Sequence, residues 1–147
     1  MDEFRIKHCE AEHGSGSFPK YRELSDEEAE AVARSLKQRL LIELDPALYA
    51  DQVDWLRSCR HANGQDASRD DFDLDACMNE LGLSMTDHCF WIYLGTPDRF
   101  FELQSREVSV HFDDLFYPGP DDVIICPTDV HWAIHVHHEG DIYYATV

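Results

Sequence analysis

The final stretch of the chain, residues 122–147, constrains the fold more than any other. It contains three short apolar runs, at 123–126, 132–136 and 142–147, which are rich in β-branched and aromatic residues. Proline, aspartate and glycine separate these runs, as turn residues separate strands. The pattern therefore predicts a β-sheet in which the last two strands form a hairpin.

Residues in the middle run alternate between the two faces of this predicted sheet. The large apolar side chains Trp132, Ile134 and Val136 share one face, which we expect to be core. The opposite face carries an alanine and three histidines: His131, Ala133, His135 and His137. We expect this second face to be exposed to solvent or to a partner.

Three helices are predicted ahead of the sheet. The first begins after Ser25, because Glu28 stands three residues on in a capping box, and its apolar stripe runs to residue 44. The second is predicted over 46–59, since Pro46 suits the first position of a helix. In the third, apolar residues at 74, 77, 78 and 81 follow helical spacing, and Gly82 ends it.

Further strands at 88–94, 99–104 and 107–112 bring the predicted sheet to six strands. Helices followed by a run of strands indicate an α+β fold, with the helices on one face of a mainly antiparallel sheet. A chain of 147 residues fits one domain, over 1–147. We expect one shared core that includes the following side chains: Leu36, Leu40, Leu56, Trp132, Ile134 and Val136.

Two polar segments are predicted to lie outside this framework. Residues 1–24 have mixed charge and contain Gly-Ser-Gly-Ser, which indicates a partly flexible arm with a short strand at 4–7. Residues 61–68 are polar throughout most of their length and indicate a connector between the second and third helices.

The chain is strongly acidic, and its charge is unevenly distributed. It has 12 basic and 30 acidic side chains, a net charge of −18. Residues 1–64 carry a net −4, whereas residues 65–147 hold 3 basic and 17 acidic side chains, a net −14. Such a surface repels nucleic acid and anionic membranes and speeds encounter with a basic protein. Acidity can also serve solubility alone, because net charge constrains association rather than fold.

Two acidic segments are the predicted contacts for a basic partner. One is the loop 113–122, where aromatic residues lie between two acidic pairs, and the other precedes the third helix. An aromatic anchor surrounded by carboxylates suits a protein interface, although such a loop can also fold its apolar side chains onto the sheet. The predicted partner-binding residues are Asp113, Asp114, Phe116, Tyr117, Asp121, Asp122, Asp70, Asp71 and Asp73.

A zinc site is the alternative hypothesis. His135 and His137 lie two residues apart on one strand face, about 7 Å by strand rise, which lets both converge on one metal ion. A third ligand would have to come from a neighbouring element, for example His111. A two-residue turn at Glu139-Gly140 would place His135 opposite Tyr144, whereas a glycine bulge would shift this pairing by one residue.

Other chemistry is disfavoured by the sequence. Five cysteines without a CxxC motif indicate neither a disulfide framework nor a zinc knuckle, and we interpret most of them as buried thiols. Nucleotide-binding and hydrolase motifs are missing, and there is no basic stripe for nucleic acid. Neither a membrane span nor the apolar segment of a signal peptide is present, so we expect a cytoplasmic protein.

In composition, a small acidic α+β chain without a catalytic motif resembles the immunity and antitoxin proteins that inhibit basic nucleases and similar toxins. The resemblance implies a class of partner, a basic protein, and it assigns no residue a role because it covers no motif. The leading expectation is therefore a binding protein without a cofactor. The alternative is a zinc-dependent enzyme with its site at His135 and His137.

Overall fold

The structure, a computed structural model, describes residues 1–44, 59–83, 88–94 and 99–147. Its centre is a seven-stranded sheet of order β1-β4-β3-β5-β6-β7-β2, in which every pairing is antiparallel. The strands are β1 Tyr21–Glu23, β2 Arg60–Asp66, β3 Cys89–Leu94, β4 Arg99–Gln104, β5 Val123–Pro127, β6 Trp132–Val136 and β7 Asp141–Thr146. The helices are α1 Glu3–His13, α2 Asp26–Leu40, α3 Leu74–Glu80, α4 Ser105–Val110 and α5 Phe112–Leu115. The predicted α+β fold is confirmed.

The helices α2 and α3 begin where their capping residues predict. Ser25 and Glu28 form both hydrogen bonds of the capping box at the start of α2, and the Asp73 side chain caps α3. Gly82 has the left-handed φ of 69° expected after α3. The helix α2 ends four residues before the predicted bound, because Leu41 takes a left-handed conformation. None of the described helices is long and apolar enough to cross a bilayer.

The helix predicted over 46–59 falls almost entirely outside the described residues, as does Leu56. The strand predicted over 107–112 is wrong, because residues 105–110 form α4. Val108 and Phe112 are both buried, and positions four apart share a face in a strand and in a helix alike. Val110 distinguishes a helix from a strand. A strand would bury Val110 on the same face as Val108 and Phe112, yet its side chain is 67% exposed.

Four elements of the structure lie wholly or mostly in segments predicted to be an arm, a connector or a loop: α1, β1, β2 and α5. The helix α1 replaces the strand expected at 4–7, and its buried residues are Arg5 and Cys9, one turn apart. Because one of these two is charged, the sequence shows no apolar stripe. The edge strand β2 replaces the predicted polar connector and is held by main-chain pairing to β7, with a bulge between His61 and Asp66.

The sheet has a core on each face, so the prediction of one core beneath helices on one face is wrong. The larger core contains Trp132, Ile134 and Val136 together with side chains of α3, α4 and α5. The other contains Leu36 and Leu40 of α2 with the alternate residues of the same strands, such as Ala133, Ile124 and Cys126. The central strands are thus buried on both sides, which explains the continuous apolar runs in their sequences.

Candidate functional site

The predicted acidic segment ahead of α3 meets one residue of the other predicted segment, Asp113, at the surface beside α3. Residues 70–75, which lead into α3, lie against the junction of α4 and α5, and the two segments line an open groove. The lining includes five aspartates and an exposed valine: Asp70, Asp71, Phe72, Asp73, Leu74, Asp75, Ser109, Val110, Phe112 and Asp113. The groove therefore presents carboxylates around apolar side chains, and we call it the acidic groove.

Several carboxylates of the acidic groove have partners within the chain. Asp71 forms a two-point ion pair with Arg69, at 2.8 and 3.0 Å, which lowers the pKa of Asp71. Asp73 caps α3 by accepting a backbone hydrogen bond at 3.0 Å, and the Ser109 hydroxyl donates to Asp75. These contacts fix the positions of the carboxylates while their residues stay exposed.

Asp113, at the rim of the groove, has acids among its neighbours. Loss of hydration, together with the negative charges of Asp114 and Asp70, raises the pKa of Asp113. A positive group that approaches from another molecule stabilises a carboxylate in this environment, since the cation offsets the repulsion between the neighbouring carboxylates. Val110 lies in the same lining and offers an exposed apolar surface of the kind found at the centre of interfaces.

Three of the predicted partner contacts lie inside the protein. Asp114, Phe116 and Asp121 are each at most 5% exposed. Asp114 Oδ2 lies 3.0 Å from Nδ1 of His111, and Asp121 forms an ion pair with Arg5 of α1. Their burial takes these residues off the surface, because the loop folds back onto the sheet and α1 covers it.

Tyr117, predicted as the aromatic anchor, is half-buried against α1. Its ring lies 5.9 Å from the Phe4 ring and 5.8 Å from the His8 ring, and the Arg5 guanidinium lies 5.4 Å from its centroid. Tyr117 thus already packs against its own chain. Val110 is more exposed than Tyr117. The sequence did not indicate this exposure, because Val108 and Val110 alternate as two buried residues of a strand would.

The predicted zinc pair takes a different form in the structure. His135 lies opposite Tyr143 rather than Tyr144, the pairing expected if the turn contains one residue more. His135 is 3% exposed, whereas His137 is half-buried at the turn, and their ring centroids are 6.0 Å apart. The expectation that this face of β6 is open to solvent is therefore wrong for His135.

Asp122, predicted as a partner contact, instead joins the histidines of the β6–β7 hairpin. Its Oδ1 lies 3.2 Å from Nε2 of His135, and its Oδ2 lies 3.2 Å from Nδ1 of His138. Burial alone would raise the pKa of Asp122, but the hydrogen bond and charge of His135, with the hydrogen bond of His138, lower it to about 2. Burial lowers the pKa of His135, and its Nε2 lies against the Asp122 carboxylate.

Another cluster lies beneath α1, where Cys9, His111 and Asp114 place one potential ligand atom each within 4.8 Å of the others. Desolvation raises the pKa of the buried Cys9 thiol, and burial likewise raises that of Cys126. A buried thiol with a raised pKa is a poor nucleophile. We therefore interpret this cluster as the junction that holds α1 against α5.

Comparison with protein-family models finds no family that matches the chain. A search of curated proteins likewise finds no matching sequence.

Proposed function

We propose that this protein binds a basic protein surface through the acidic groove, as an inhibitor of the immunity or antitoxin type. The observation that carries the proposal is the convergence of residues 70–75 with residues 109–113. These segments are more than 30 residues apart in sequence, yet they combine exposed carboxylates with the exposed side chain of Val110 in one groove. The net charge of −14 on residues 65–147 adds a long-range field of the same sign.

Each part of the groove has a physical role in this proposal. The carboxylates attract lysine and arginine side chains from a distance and reject acidic partners, so they act on the rate of association. Val110 supplies apolar contact after docking and acts on the rate of dissociation. A nuclease holds its substrate with basic side chains, so a groove of carboxylates competes with nucleic acid phosphates for the same surface.

The first experiment is affinity capture from a lysate of the source cells at low salt. The bait is the full chain, compared with the variant Asp70→Asn, Asp71→Asn, Asp113→Asn. A matched control, Glu3→Gln, Glu27→Gln, Glu30→Gln, removes the same charge from exposed positions on α1 and α2. We expect the wild type and the control to retain a basic protein in stoichiometric amount, and the groove variant to lose it.

Kinetics with the captured protein then separate the two roles. At low salt the groove variant should associate at least about tenfold more slowly than the control, and the gap should close as salt rises. Val110→Ala should leave association unchanged and speed dissociation. Equal capture and equal association rates for all variants at every salt concentration would contradict the proposal, as would a captured enzyme whose activity the protein leaves unchanged at a 1:1 ratio.

A further inference from the structure

The turn between β6 and β7 brings one carboxylate and two imidazoles together. One potential ligand atom from each of Asp122, His137 and His138 lies within 4.8 Å of the other two, and all three residues are half-buried. His138 Nδ1 is 3.2 Å from Asp122 Oδ2, and the two histidine ring centroids are 3.8 Å apart. Ligand atoms held at about 2.0–2.1 Å by a tetrahedral ion stand about 3.3 Å from one another. The 3.2 Å between His138 Nδ1 and Asp122 Oδ2 matches that spacing, and the His137 ligand atom has to approach by at most about 1.5 Å.

The protein positions the Asp122 carboxylate for such a site. Its Oδ1 lies 3.2 Å from Nε2 of the buried His135 and accepts a hydrogen bond from the backbone N–H of His138 at 3.3 Å. These bonds hold Oδ1 and leave Oδ2 facing the His138 ring. An outer group that orients a ligand in this way is typical of metal centres.

The imidazole of His137 supplies the second nitrogen ligand, and an ion bound at its Nδ1 would take the place of a hydrogen bond from the Glu139 amide. Its Nδ1 accepts a long hydrogen bond of 3.3 Å from the Glu139 amide, and an amide N–H can only donate, so this nitrogen carries no proton. Glu139 and Asp141 also place a carboxylate oxygen each within 4.8 Å of a His137 nitrogen. Their charge adds to that of Asp122 and favours a cation at the turn.

The backbone of the turn is fixed on both sides. The His137 N–H donates to the Asp141 carbonyl oxygen at 2.9 Å, and the Gly119 N–H donates to the His138 carbonyl oxygen at 2.7 Å. Gly140 has a φ of 96°, and side chains at the end of β2 leave no space there for a Cβ. Ligands on a backbone held this firmly need little ordering when an ion binds.

We propose that Asp122, His137 and His138 bind a divalent transition-metal ion, with His135 as the residue that positions the carboxylate. Two imidazoles and one carboxylate suit zinc, whereas calcium and magnesium select sets of oxygen ligands. On binding, Nδ1 of His138 releases to solvent the proton that it shares with the carboxylate, and Nε2 takes up a proton from solvent, so the ring stays neutral and Nδ1 is free to bind the metal ion. Three ligands leave a coordination position open to water. The site is independent of the acidic groove and of any protein partner.

The test uses the full chain without a histidine tag, treated with a chelator and then titrated with zinc chloride alone. Isothermal titration calorimetry should find one ion per chain, and zinc should raise the melting temperature by mass action. His137→Ala and His138→Ala should each weaken binding at least about tenfold, and His135→Gln should weaken it about tenfold through loss of orientation. Because both ligand histidines are half-buried at a turn, outside the two cores, their variants should remain folded in metal-free buffer.

Two control variants decide where the metal lies. His131→Ala removes a half-buried histidine that also contacts an aspartate, Asp129, and it should bind zinc as the wild type does. Cys9→Ser alters the cluster beneath α1 and should also leave binding unchanged, and the cobalt-loaded protein should show no sulfur-to-metal charge-transfer band. Absence of zinc binding at millimolar concentration, loss of binding in Cys9→Ser, or unchanged affinity in His138→Ala would each overturn the proposal.

Discussion

Asp113 and Asp122 lie nine residues apart and occupy opposite electrostatic environments. Asp113, in the acidic groove, has lost part of its hydration and has other carboxylates as neighbours, and both effects raise its pKa. Asp122, at the hairpin, lies between His135 and His138, and its pKa is lowered to about 2. The difference shows that a high net negative charge does not act uniformly: at one place it is neutralised within the chain, and at another it remains available to a second molecule.

The comparison also separates two ways in which a carboxylate contributes. In the hairpin, Asp122 accepts hydrogen bonds that a buried group requires, so it stabilises the folded state. In the groove, the charge of Asp113 slightly destabilises the folded state. Its electrostatic energy becomes favourable only when a cation approaches. A residue that costs stability but serves binding is a common feature of functional surfaces.

The largest effect is expected for Asp122→Ala in metal-free protein at pH 7. The change removes the acceptor of the buried His135 ring, and such a loss costs about 1–3 kcal/mol. Urea unfolding followed by circular dichroism measures the cost. The matched control is Asp129→Ala, which removes the exposed partner of His131 and should cost under about 1 kcal/mol. Equal losses in the two variants would mean that Asp122 stabilises the fold no more than the exposed Asp129 does.

The stability difference between wild type and Asp122→Ala should depend on pH. Because folding lowers the pKa of Asp122 from its ordinary value of 3.8 to about 2, its contribution is present above pH 3.8 and is lost as the pH falls towards 2. Melting temperatures measured with a chelator between pH 7 and pH 2 should therefore converge at the acidic end. A difference that stays constant over this range would show that the charge of Asp122 is not what stabilises the fold.

A smaller effect of opposite sign is expected for Asp113→Asn. Removing this charge relieves repulsion from Asp114 and Asp70, and because Asp113 is exposed and screened the gain should be no more than about 0.5 kcal/mol. The gain should shrink as the pH falls, because the raised pKa makes native Asp113 take up a proton before the unfolded chain does. Differential scanning calorimetry at pH 7 and pH 4 measures both effects.

Asp71→Asn is the matched control for that variant. Asp71 lies in the same groove but pairs with Arg69, which lowers its pKa, so neutralising it should lower the melting temperature slightly. Stabilisation by both changes would show that the whole groove is repulsive and that Asp113 is not distinct.

The elements that the sequence predicted correctly are those with local signals. The capping box at Ser25, the cap at Asp73 and the glycine at 82 mark α2 and α3, and β-branched runs mark the central strands. The helix α1 and the strand β2 were missed because neighbours elsewhere in the chain hold them: the Arg5 ion pair with Asp121, and the pairing of β2 with β7.

The candidate sites were predicted in part for the same reason. The acidic composition of 70–75 and of 113–122 was visible, but which of these residues share one groove depends on where α3, α4 and α5 pack, and of 113–122 the groove includes Asp113 alone. The burial of Asp114 depends on α1, which had no sequence signal. His138 was missed because strand alternation selects His135 and His137, whereas the turn that follows decides which imidazoles reach Asp122.

The order of strands in the sheet differs from their order along the chain, and this affects how the protein is made. The strands β1 and β2 form opposite edges of the sheet, and each pairs with a strand from the second half of the chain. The pairing of β2 with β7 closes a loop of about 75 residues, which has an entropic cost. Both edges of the sheet can therefore form only after β4 and β7 have been synthesised, and contacts this distant in sequence slow folding.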